Sequence, residues 1–150
     1  MTMTQLRFLA VLATSLVVSP ALAADPAYLF DALHEKDYAK SYRAAWDKLM
    51  KDVQPQPDWL VQFNKNFDGD SGALATVAAA GKSYELSFVC KPSDCAGRKF
   101  VVLFEAGGAH AFGALGGKGE DPEYFGAPSA DEKDALAKAF KGPAATAGQN

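Results

Sequence analysis

Reactive side chains are scarce in this chain. Its 150 residues include only two cysteines and two histidines. With His34 and His110 alone, a histidine-built metal centre lacks its ligands. No serine stands in a nucleophile-elbow context with a histidine to serve it. Acidic residues are scattered, with no pair placed by periodicity as a general acid and base. Positive charge is also in deficit, with 15 Lys and Arg against 18 Asp and Glu and a formal charge of −3. That balance argues against nucleic acid and against an anionic membrane surface as partners, and mildly favours a basic one. Catalysis, a cofactor and a bound metal ion are therefore not expected.

The one sustained apolar run lies at the start. Phe8–Val18 is uncharged and follows a segment carrying Arg7; Ser19-Pro20 breaks it, and Ala21-Leu22-Ala23 matches a small-x-small cleavage site. This is the pattern of a secretory signal peptide over residues 1–23, cut after Ala23 or, alternatively, Ala24. The run falls short of the roughly 20 residues needed to span a bilayer, so a membrane anchor is not expected. Removing it takes away Arg7 and no acid, so the formal charge moves from −3 to −4.

Residues 24–143 read as one domain with a real core, followed by a disordered tail, 144–150. Asp25-Pro26 opens a short helix, Ala27–Leu33. A stronger one covers Tyr38–Lys51, where Tyr38, Tyr42, Ala45, Trp46, Leu49 and Val53 form one apolar stripe. Pro55 and Pro57 end it, and Trp59-Leu60 returns to the core. Asn64–Gly72 reads as a loop. Its Asn64-x-Asn66-x-Asp68-Gly69 run imitates a calcium loop, but Ala75 occupies the position that needs a bidentate Glu. Four strands are expected: Ala73–Ala79, Ser83–Val89, Lys99–Glu105 and Ala109–Leu115, the last carrying His110. In the second, Tyr84, Leu86 and Phe88 alternate with Ser83, Glu85 and Ser87, a half-buried pattern. In the third both faces are apolar, which marks a central strand. Ala106-Gly107-Gly108 supplies a hairpin turn, and Tyr124-Phe125 tucks onto the sheet. Ser129-x-x-Glu132 is a capping box opening a helix, Ala130–Lys141, that stops at Gly142-Pro143. The sum is an α+β domain, an antiparallel sheet flanked by N-terminal and C-terminal helices.

Export changes how the cysteines read. In an oxidising compartment Cys90 and Cys95, four residues apart, are expected to form a disulfide. A loop this short gains on the order of 2 kcal/mol from closure, so local stiffening explains the bridge better than global stability does. Within it Pro92 fixes its own φ and restricts Lys91. Lys91 offers a cation, Ser93 a small donor and acceptor, and Asp94 an anion. Two readings stand side by side: a narrow projection that enters a cleft, or a tight hairpin connection held by its bridge.

Cys90-Lys91-Pro92-Ser93-Asp94-Cys95 closely resembles the Cys-Lys-Pro-His-Asp-Cys signature of the Ivy family, inhibitors of vertebrate (C-type) lysozyme exported to the bacterial periplasm. The helix Tyr42–Met50, the segment Pro57-Asp58-Trp59-Leu60, and the strands with Phe100–Phe104 and Gly113-Ala114-Leu115 are similar too. The resemblance implies that the bridged loop protrudes from an antiparallel sheet and plugs the lysozyme cleft. There the family's histidine meets the two catalytic carboxylates. Here that position is Ser93, which keeps a hydroxyl but is shorter and never cationic. Lys91 either reaches a partner carboxylate or stays solvated, and Asp94 braces the loop through backbone N–H groups.

The expected function is periplasmic inhibition of C-type lysozyme, with Lys91, Pro92, Ser93 and Asp94 as the binding loop. The alternative is a weakly inhibitory or non-inhibitory family member that binds another partner or a glycan. A homodimer is an open possibility; nucleic acid is not an expected partner.

Overall fold

The computed structural model describes residues 28–35 and 39–142. The expected leader, the Asp25-Pro26 helix start, Tyr38, Pro143 and the expected tail therefore lie outside the described residues. Helices α1 (Leu29–His34), α2 (Ala39–Asp52) and α3 (Asp58–Asn66) precede the sheet. Strands β1 (Asp70–Ser71), β2 (Ala75–Ala79), β3 (Lys82–Cys90), β4 (Arg98–Glu105), β5 (Ala111–Gly117) and β6 (Glu123–Phe125) build it, and α4 (Ala130–Lys141) follows. The fold is α+β. No helix of the described residues is long and apolar enough to cross a membrane.

All strand pairs are antiparallel, in the order β1-β3-β4-β5-β6, with β2 sharing β3's outer edge with β1. Strand β4 is central, as its apolar faces require. Phe100, Val102 and Phe104 join the core with α1, α2 and α3, whereas Val101 and Leu103 join the core beneath α4. The sheet is thus covered on both faces. Trp46 of α2 meets Phe63 of α3 and Phe100 of β4 edge-to-face, at 5.8 and 5.7 Å between centroids. Such pairs add about 0.5–1.5 kcal/mol each beyond area burial.

Several elements differ from the sequence reading. Helix α3 runs three residues into the expected loop, as far as Asn66, because Asn64 is captured by tertiary contacts. Its Oδ1 accepts from Trp46 Nε1 at 2.7 Å, and its Nδ2 donates to Gln56 Oε1 at 2.9 Å. The outer edge strand breaks at Gly72, where a Cβ would collide with the Phe88 ring. The Gly72 carbonyl there accepts from Ser87 Oγ and from Leu29 N–H. Ser87 is consequently buried, and β3 loses its alternation over its second half. Strand β5 starts two residues late. His110 sits in the turn, where its backbone carbonyl accepts from Glu105 N–H at 2.9 Å. The Gly107 and Gly108 φ values of +72° and +71° make that turn.

Helix α4 carries its capping box, with Ser129 N–H donating to Glu132 Oε2 at 2.7 Å and Glu132 N–H to Ser129 Oγ at 3.4 Å. The other Glu132 oxygen accepts from Tyr84 OH at 2.6 Å, tying α4 to β3. That hydrogen bond, then burial and the Glu132 charge, push the Tyr84 phenol up to about 12. Burial alone would raise Glu132, but hydrogen bonds from Tyr84 and Ser129 outweigh it and hold the carboxyl below its ordinary value.

Candidate functional site: the bridged loop between β3 and β4

The β3–β4 hairpin pairs Cys90 with Lys99 as its last rung. Beyond it, Lys91 N–H donates to the Arg98 carbonyl at 3.0 Å and closes the loop's base. Two β-turns fill the loop and share Asp94. In the first, Asp94 N–H donates to the Lys91 carbonyl at 3.0 Å, with Pro92 second and Ser93 third at φ +61°. Proline followed by a left-handed residue is the residue pattern of a type II turn. In the second, Gly97 N–H donates to the Asp94 carbonyl at 3.1 Å, and Arg98 N–H reaches the same carbonyl at 2.9 Å.

The bridge between Cys90 and Cys95 is formed, with Cα atoms 4.8 Å apart, inside the range a disulfide requires. Cys90 is fully buried beneath α4, while Cys95 is partly covered. One end of the loop is thus set in the core and the other is stitched to it. Lys91, Pro92 and Ser93 are exposed at the tip, and Asp94 is half-buried. The Asp94 side chain turns inward, its Oδ1 accepting from Gly97 N–H at 3.1 Å. That satisfies a loop amide and takes Asp94 out of the outward-facing set.

Sequence reasoning passed over Gly97, although Asp94-x-x-Gly97 is a type I turn signature. It also passed over the loop's flanks. On the α3 side a groove is lined by Pro55, Pro57, Trp59, Lys91, Arg98 and Leu115. Arg98 is anchored by Glu120, Nη1 to Oε2 at 3.1 Å. No sequence spacing links residues 55–59 to 91–98; the sheet and α3 bring them together.

Among the described residues, the one group of three potential metal ligands is Asp70, Cys90 and Cys95. Its two sulfurs are joined to each other, so neither is available as a thiolate. What the arrangement offers is a short loop closed by a disulfide and two turns, with Lys91, Pro92 and Ser93 exposed at its tip.

Comparison with known proteins gives this loop a context. Residues 41–145 match the family model described as inhibitor of vertebrate lysozyme (Ivy). An uncharacterised protein of Pseudomonas aeruginosa is 33% identical over 101 residues, which cover 67% of this chain and 60% of that protein. An uncharacterised protein of Yersinia pestis is 27% identical over 88 residues, covering 59% of this chain and 54% of that protein. The matched region thus spans a little over half the length of these curated relatives. The match takes in most of α2, and all of α3, the sheet and α4. With its bridged loop on an antiparallel sheet, the chain belongs to the Ivy family.

Proposed function

We propose that this protein inhibits C-type lysozyme by occlusion, inserting the tip Lys91-Pro92-Ser93 into the active-site cleft without turnover. The reading includes export by a cleaved leader to the periplasm and residues 24–143 as the folded unit. The observation that carries it is Ser93, exposed at the apex of a turn whose two ends are fixed by the disulfide and by Lys91–Arg98. That is the position of the histidine in the family signature. The Ser93 hydroxyl presents one donor and two acceptor lone pairs toward a site built from two carboxylates. The chain's acidity favours encounter with a basic partner, mainly through the association rate and in a salt-sensitive way.

Calorimetric titration of the oxidised mature protein with hen-type lysozyme tests this reading. Saturable one-to-one binding together with loss of lytic activity is the expected result, and binding weakens when the bridge is reduced. No heat and no inhibition at micromolar concentration, with the disulfide intact, would falsify it.

A further inference from the structure

A second site lies on the opposite flank of the loop. Between the 117–121 turn and the end of α4 is a cleft lined by Cys95, Lys99, Lys118, Asp121, Phe140 and Lys141 among others. Its floor is Lys99, 8% exposed and placed between Cys90 of β3 and Gly116 of β5. Gly116 leaves room for Phe140, whose ring would lie 3.1 Å from a Cβ there. The Lys99 ammonium sits 4.9 Å from the centre of that ring. Its stem is buried and its head opens into the cleft.

Among the described residues, no side chain other than Phe140 completes the surroundings of this ammonium. The ring offers its face, but the three N–H donors meet no hydrogen-bond acceptor or carboxylate among the described residues. Glu120, the nearby acid at the mouth, is engaged by Arg98 at 3.1 and 3.3 Å. The ammonium is only partly desolvated, and without a counter-ion that partial burial disfavours its charged form, pushing Lys99 below the usual lysine range. Lys118 and Lys141 add two exposed cations at the rim. Asp121 adds one acid there, which suits a singly charged guest better than a dianion.

We propose that this cleft is a carboxylate-binding site, with the Lys99 ammonium as the counter-charge on its floor, Phe140 as its apolar wall, and Lys118 and Lys141 at the rim. The geometry admits the carboxylate of a small free acid or of an acidic side chain on a docked protein. Pairing with Lys99 restores a charge-assisted hydrogen bond in a partly desolvated setting, where such bonds are strongest.

Amide NMR on the oxidised protein, titrated with sodium acetate against matched sodium chloride, tests the proposal. The expected result is saturable shifts of the Gly117, Gly119 and Gly142 amides with acetate only. Lys99→Met keeps the stem and places a thioether on the ring; it should weaken acetate binding at least tenfold. The double variant Lys118→Ala/Lys141→Ala changes exposed residues only and should weaken it several-fold. A capped glutamate peptide that shifts the same amides at lower concentration than acetate points to a protein partner, and equal potency points to a free acid. Shifts that do not saturate, or that persist unchanged in Lys99→Met, overturn the proposal.

Discussion

Asp94 and Gly97 are matched: Asp94 Oδ1 accepts the Gly97 amide at 3.1 Å, and a Cβ on residue 97 would land on that same oxygen. The carboxylate has its place only because residue 97 has no side chain. Gly97→Ala should therefore expel it. Asp94→Ala removes the same hydrogen bond, at about 1 kcal/mol. Asp94→Asn keeps an accepting oxygen and should stay close to the parent. Urea midpoints at unchanged slope check the series, and lysozyme titration should show both disruptive variants binding more weakly.

Ser93 occupies left-handed backbone, φ +61°, where histidine and asparagine are enriched and β-branched residues are outliers. The turn therefore accepts Ser93→His without refolding. A restored hydrogen bond to a charged group is worth about 1.5–3 kcal/mol, so lysozyme affinity should rise roughly ten- to a hundredfold. Ser93→Val should instead lower the unfolding midpoint. If Ser93→His leaves lysozyme binding unchanged while the fold persists, the tip does not enter the catalytic cleft.

Tyr84 and Glu132 make stability depend on pH at both ends. Glu132 is held below its ordinary value when folded. Its contribution is full above the unfolded carboxylate range and disappears as pH falls through the folded value. Tyr84 is raised from 10.0 to about 12, so its contribution is full below pH 10 and is lost as pH climbs toward 12. Tyr84→Phe should remove the alkaline loss and weaken the acid-side dependence. At neutral pH it should cost about 1.5–3 kcal/mol, the value of a hydrogen bond to a charged group. Thermal midpoints from pH 3 to 12, parent against variant, measure both limbs.

Gly108 decides how α2 meets the sheet. Its φ is +71°, and a Cβ would stand 2.7 Å from Tyr42 N and 2.9 Å from Tyr42 Cα. Those are backbone atoms and cannot swing aside. Gly108→Ala combines left-handed strain with a helix displacement, and should cost about 3 kcal/mol or more. Gly107→Ala, with open space around it, bears only the conformational part and should cost about 1–2 kcal/mol.

Much of this molecule was legible where one physical cause acts alone. The two-faced apolar run of β4, the Ser129/Glu132 box and the Cys90/Cys95 spacing each speak for themselves. What escaped depends on distant partners. The last turn of helix α3 looked like the start of a loop because Asn64 reads as a turn former until Trp46 and Gln56 claim its amide. Ser87 looked solvent-facing until the Gly72 carbonyl gave it a buried partner. In the candidate site, Lys91 to Asp94 were visible as a set. The inward turn of Asp94 depended on Gly97. Lys99 sat unnoticed at the head of a strand, because nothing in its neighbours along the chain announces the ring of Phe140.

The rung joining Cys90 to Lys99 has a wider meaning. Because the loop starts where the sheet ends, with no flexible stalk between them, its aim is inherited from the sheet. A partner pressing on the tip pushes against the whole domain rather than bending a hinge. The apex residue, in contrast, touches little of the frame that carries it. Under the proposed function such a design separates the tool-holder from the bit: exchanging the exposed apex residue would retune the protein while the shank stays the same.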